Sequence, residues 1–128
     1  MQIEKLVSDM MTMSVKARLW HWRTDTAQHH TTYEDFLNQN ENLTDSLVES
    51  ALGNEVSIDF SGVGVQKGQE TEYSIENARE NLRSYRDEVF EAKKSLESTD
   101  AKSSEELITI LDDVTELASK TLYLLKLK

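Results

Sequence analysis

Residues 53–72 read GNEVSIDFSGVGVQKGQETE. All four glycines of the chain, Gly53, Gly62, Gly64 and Gly68, fall in this window, and the chain has no proline. Glycine and proline are the strongest local punctuation of a sequence. The window therefore divides the 128 residues into two halves, ending near 52 and resuming near 73. Inside it, Val56, Ile58, Phe60, Val63 and Val65 come close to the alternation of a short strand. A lone strand has no partner for its backbone, so the segment reads as an extended crossover over about 54–72. Fully extended, such a link spans roughly 60 Å.

Each half reads as a helical hairpin. Downstream, Ile75, Ala78, Leu82, Tyr85, Val89, Ala92 and Leu96 recur at spacings of three and four, one apolar stripe of a helix. Ser98-Thr99-Asp100 interrupts it, and Ser103-x-x-Glu106 has the form of a capping box for the next helix. That helix carries Leu107, Leu111, Val114, Ala118, Thr121 and Leu125 on one stripe and Ile110, Leu117 and Leu124 on another. Upstream, Ile3, Leu6, Met10, Met13, Ala17 and Trp20 form a stripe, and Val15, Leu19 and Trp22 an additional one. Thr24-Asp25-Thr26 supplies a turn and an N-cap. The second helix then places Tyr33, Phe36, Leu37, Leu43, Leu47, Val48 and Ala51 on its core side, with Gly53 as its expected C-terminal cap. Arg79, Arg83 and Arg86 alternate with acids on the third helix, the pattern of a solvated, ion-paired face.

The predicted helices cover about 2–23, 28–52, 74–97 and 104–127 of a single all-α domain spanning 1–128. The second helix is about 36 Å long, so the crossover can return along the whole bundle and let helices two and three run parallel. Two antiparallel hairpins joined by one long crossover make a ferritin-like four-helix bundle.

Composition narrows the function. With 24 Asp+Glu against 14 Lys+Arg and no basic arm in the first twenty residues, nucleic-acid binding is disfavoured. No apolar run approaches a membrane span, and zero cysteine excludes disulfides and thiolate metal sites. The acidic, amphipathic start does not read as a signal peptide, so the expected address is cytoplasmic. The additional apolar stripes on the first and last helices predict a homo-oligomer with two-fold axes.

The second helix also has a polar stripe: His30, Glu34, Asn38, Glu41, Asp45 and Glu49, at steps of four, four, three, four and four. On a helical wheel these share an arc of about 100°. The stripe is either a solvated face or a source of ligands for iron, manganese or zinc. His30 with Glu34, and Asp45 with Glu49, are two pairs about 22 Å apart along the axis, too far for one ion. Two copies packed antiparallel about a two-fold would bring His30 and Glu34 of one against Asp45 and Glu49 of the other. His21 on the first helix lies level with His30 across the turn. It is either a packed histidine beside Trp20 and Trp22 or a further ligand.

Together, Leu19-Trp20-His21-Trp22, His30-x-x-x-Glu34 and Asp45-x-x-x-Glu49 followed by Leu52-Gly53 resemble the Dps-type mini-ferritins, as does Lys120-Thr121-Leu122-Tyr123-Leu124-Leu125 in the last helix. The resemblance covers nearly the whole chain, and its first half is the specific part. It implies a ferritin-like fold, iron as the metal, and oxidation of Fe(II), preferably by peroxide, at sites shared between two-fold-related subunits. His21, His30 and Glu34 would come from one subunit and Asp45 and Glu49 from its mate. Glu34 stands where the family has Asp, the turn after Trp22 is shorter, and the basic tail some members use on DNA is absent. The helix is also similar to small phage-encoded proteins with a His…Asp-x-x-x-Glu pattern, which implies a viral source and the host cytoplasm. The alternative expectation is a non-catalytic helical interaction protein whose metal site is degenerate or empty.

Overall fold

The computed structural model describes residues 2–67, 72–99 and 104–127. Among these it contains four α-helices: α1 (Ile3–Arg23), α2 (Ala27–Gly53), α3 (Ile75–Glu97) and α4 (Ser104–Lys126). A single 3₁₀ turn, Phe60–Gly62, interrupts the crossover, and no strand is present among the described residues. No helix there is long and apolar enough to cross a membrane.

The apolar stripes become one core. Met10, Ala17 and Trp20 of α1 meet Tyr33, Phe36, Leu37 and Leu47 of α2, Leu82 and Val89 of α3, and Leu111 and Val114 of α4, all with at most 1% of their surface exposed. Helix α1 packs on α2, α3 on α4 and α2 on α4, while the α1–α3 seam is thinner. Of the additional stripe of α1, Val15 and Trp22 are exposed, Trp22 at 64%, and Leu19 is half-buried. Each large apolar side chain fully buried contributes about 1.5–3 kcal/mol, so the two exposed ones are unused by this core.

One core position is polar. Asn40 is fully buried, and its side-chain nitrogen donates to the Met10 carbonyl at 2.9 Å and to Ser14 Oγ at 2.8 Å. The Tyr85 hydroxyl donates back to Asn40 Oδ1 at 2.6 Å. A buried amide is tolerable only when its donors and acceptor are occupied, and here α1 and α3 occupy them. Burial pushes the Tyr85 phenol well above its ordinary range, with Asn40 pulling the other way.

Helix ends follow local chemistry. Thr26 caps α2 by accepting from the His29 N–H, and Ser74 caps α3 by accepting from the Asn77 N–H. Ser103 of the expected capping box lies outside the described residues. The end of α2 corrects the expectation for Gly53, which remains helical and has no positive φ. Glu55 takes the left-handed conformation instead, at φ 63°. The Val56 N–H bonds to the Ala51 carbonyl and the Glu55 N–H to the Leu52 carbonyl, the paired bonds of a Schellman ending.

The crossover docks on side chains of α1. The Asp59 N–H donates to the Glu4 carboxylate at 2.9 Å, Gly64 N–H to Ser8 Oγ at 3.0 Å, and Gln66 N–H to Thr12 Oγ1 at 3.1 Å. Two extended residues advance about 6.6 Å and four helical residues about 6 Å, so alternate crossover amides keep step with hydroxyls one turn apart. Arg79 also departs from its expected solvated face: it is half-buried, and its buried Nε has no hydrogen-bond partner among the described residues.

Candidate metal centre

The last turn of α1 and the first turn of α2 are joined by only Thr24-Asp25-Thr26. The Thr24 N–H closes α1 on the Trp20 carbonyl at 2.9 Å, and Thr26 opens α2. This short link sets His21 beside His30. Their rings stack at 3.6 Å between centroids with 23° between planes. His21 Nδ1 lies 2.9 Å from the His30 carbonyl, and His30 Nδ1 lies 2.7 Å from the His21 carbonyl. A carbonyl can only accept, so each Nδ1 carries its proton and donates. In the neutral rings the lone pair then sits on Nε2, because a backbone carbonyl that holds the Nδ1 proton fixes the metal-binding tautomer.

Glu34 follows His30 by one turn. One ligand atom from each of His21, His30 and Glu34 lies within 4.8 Å of the others. His21 is half-buried, whereas His30 and Glu34 are exposed. Two imidazoles and a carboxylate suit a first-row divalent ion.

Asp45 and Glu49 do not join this group within the chain. They are exposed on α2, 11 and 15 residues beyond Glu34, about 16 and 22 Å along the axis. Asn38 and Glu41 are exposed between them, and Glu41 lies 3.7 Å from Arg18, whose guanidinium sits over the Trp22 ring at 6.0 Å. Beside Asp45, a groove of about 640 Å³ opens between α1, α2 and the crossover, with Met11, Val15, Val48, Phe60 and Val65 among its walls.

The core side of these turns holds an arrangement that sequence reasoning missed. Tyr33 packs on Trp20 at 5.6 Å, and its hydroxyl is hydrogen-bonded to that of Tyr73, just before α3. The His29 ring lies 6.3 Å from that of Tyr33. The apolar spacing marks Tyr33 as core, but nothing in the crossover marks Tyr73 as its partner. Compared with protein-family models, with curated proteins and with solved structures, the chain finds no match in any of the three.

Proposed function

We propose that the chain is a Dps-like iron-binding protein of ferritin-like topology, with Fe(II) as its substrate and each oxidation site shared between two-fold-related copies. The observation that carries the reading is the convergence of His21, His30 and Glu34 within 4.8 Å, with both histidines held by the other's backbone. The topology has separate support. Contacts of His21 with His30 and of Ser14 with Asn40 run in falling register along α1 and α2, as in an antiparallel hairpin. Lys93 with Asp112 and Thr99 with Ser104 do the same for α3 and α4. The crossover's course along Glu4, Ser8 and Thr12 fits a return along the bundle.

Three ligands on an exposed site leave coordination positions open. In the shared-site reading, Asp45 and Glu49 of a second copy fill them. The exposed Val15, Phe60 and Val65 beside the polar stripe give that copy an apolar seat. Hard carboxylate oxygens stabilise the higher charge of the oxidised ion, while the two Nδ1–H bonds hold the rings in place during the change. Anaerobic Fe(II) titration of the purified chain, followed by peroxide addition, tests the reading. Binding at about one ion per chain, removed by His30→Ala and by Glu34→Ala, is expected on the symmetry argument. Equal uptake by the three proteins rejects it.

A second reading has its own observation. The stacked rings and their reciprocal hydrogen bonds tie α1 to α2 through protein atoms, which fits a structural role for the two histidines in an interaction protein. In that case His30→Ala lowers the melting temperature of metal-free protein, and iron leaves the melting temperature of the unsubstituted chain unchanged.

A further inference from the structure

Most of the large apolar side chains that the core leaves exposed gather on one face. Val15 of α1 and Phe60 and Val65 of the crossover wall the groove of about 640 Å³ beside Glu41 and Asp45, and they are 39%, 56% and 42% exposed. Leu52, also exposed, follows Asp45 by two turns along the same line of α2. Trp22 stands at the other end of the face. Arg18 joins it to the polar stripe, with its guanidinium 6.0 Å from the Trp22 ring and 3.7 Å from Glu41. Of the eight large apolar side chains exposed among the described residues, these are five, and an exposed apolar patch rimmed by polar groups marks an interaction surface.

A chain's own Trp22 does not reach its groove. From Met11, on the groove wall, to Trp22 is about 16 Å along α1. The two-fold arrangement of the proposed iron sites, on which this inference rests, removes the gap. Pairing His30 with Glu49 and Glu34 with Asp45 puts an axis across both helices level with residues 39 and 40 of α2. Asn40 bonds to the Met10 carbonyl and to Ser14, so the axis is level with about residue 12 of α1. Rotation then sets Trp22 of one copy, about ten residues beyond the axis, level with the first turn of α1 in the other. Phe60 is at that level, next to Asp59, whose N–H is bonded to Glu4, and Leu52 ends the same stretch of α2. Arg18 of one copy, about six residues beyond the axis, comes level with Asp45 of the other, also about six residues beyond it. Asp45 has no cation within ion-pair distance among the described residues of its own chain.

We propose that Trp22 of each copy docks on Phe60 and Leu52 at the end of the other copy's groove, with its Arg18 against the other's Asp45. The occupant is a second copy of this chain, and symmetry makes the contact twice. A buried aromatic side chain removes about 150–250 Å² from water. The two tryptophans therefore supply about 300–500 Å² of the roughly 1,200–2,000 Å² that a stable interface buries. They are the large aromatic anchors, and Arg18 against Asp45 gives the face its charge complementarity.

The chain has no cysteine, so single introduced cysteines report contacts without background. Metal-free Trp22→Cys chains mixed with Phe60→Cys chains should form a disulfide-linked mixed dimer on mild oxidation. That dimer keeps one intact contact, because the Phe60→Cys chain retains Trp22 and its mate retains Phe60. Trp22→Cys mixed with Tyr123→Cys should not link, although Tyr123 on α4 is 60% exposed. Sedimentation equilibrium of the metal-free chain gives the strength, with circular dichroism checking each fold. Trp22→Lys should weaken dimerisation by at least about thirtyfold, near 2 kcal/mol, and Tyr123→Lys by less than about threefold. The docking is overturned if the Trp22–Phe60 link fails to form, if Tyr123→Cys links as readily, or if Trp22→Lys dimerises as well as the unsubstituted chain. A lone 14.7 kDa chain at about 100 µM also overturns it. Iron uptake separates this from the metal reading. A Trp22–Phe60 link in protein that takes up no Fe(II) keeps the docking and rejects the iron site. Fe(II) uptake that His30→Ala removes, in protein that forms no such link, keeps the iron site and rejects the docking.

Discussion

Tyr85 spends its one proton on Asn40, and that single bond decides whether a buried amide is satisfied. Tyr85→Phe keeps the ring and strands Asn40 Oδ1, so it should destabilise the fold by about 1–3 kcal/mol, read as a lowered urea midpoint at unchanged slope. The phenol also gives a pH signature. Burial raises the folded-state value above the ordinary 10.0, so the unfolded chain loses this proton first. The contribution is full below pH 10 and falls above it by about 1.4 kcal/mol per pH unit. That alkaline loss should be smaller in Tyr85→Phe by the same slope, because other titrating groups cancel in the comparison. A second residue-scale prediction concerns the end of α2. A Cβ at Gly53 meets nothing within 4 Å, so Gly53→Ala should stabilise by about 0.5–1 kcal/mol. Glu55→Gly should stabilise too, by relieving a left-handed conformation that costs a side-chain-bearing residue roughly 1–2 kcal/mol. Thermal melts check both, and a lowered melting temperature for Gly53→Ala contradicts the assigned cap. The sequence contains a glycine where a cap belongs, yet hydrogen bonding places the turn two residues later, which residue type alone does not determine. Asn40 was not legible, because a polar side chain gives no core signal in the sequence, and only its three partners show why a buried amide stands there.

At the scale of elements, the helices were readable because apolar spacing of three and four has one physical outcome, a buried stripe. The stripe of α4 from Leu107 to Leu125 is buried at every named position. The crossover was readable only as a length. Its seat depends on Ser8 and Thr12, whose hydroxyls carry no signal in the sequence and accept from Gly64 and Gln66 only when an extended chain lies beside them. Ser8→Ala combined with Thr12→Val should leave the four helices intact and strip hydrogen-exchange protection from the amides of Gly64 and Gln66. The global cost should stay within about 1.5 kcal/mol per bond lost, since water can replace acceptors at this surface. Unchanged protection at both amides contradicts the docking.

For the whole molecule, three of the five candidate ligands read from the sequence meet within one chain, because the three-residue link between α1 and α2 fixes their register. Asp45 and Glu49 lie on the same helix, and the fate of that pair belongs to assembly, which one chain does not encode visibly. Mixed dimers test it. If sites are shared, Glu34→Ala and Glu49→Ala homodimers each lose both sites, whereas their heterodimer concentrates both defects in one and keeps the other. Fe(II) oxidation should recover to at most about half of the unsubstituted dimer by this symmetry, and no recovery in verified mixed dimers rejects sharing. The Asn40–Tyr85 bond has a further consequence, in time rather than in energy. It joins positions 45 residues apart, whereas the histidine clasp joins positions nine apart. Short-range contacts close early and long-range ones late along a folding path. The α1–α2 and α3–α4 contacts should therefore be formed at the rate-limiting barrier while the link between the two pairs is still open. Tyr85→Phe should then accelerate unfolding and leave refolding nearly unchanged, so that stopped-flow measurements would show one arm of the chevron shifted and the other in place.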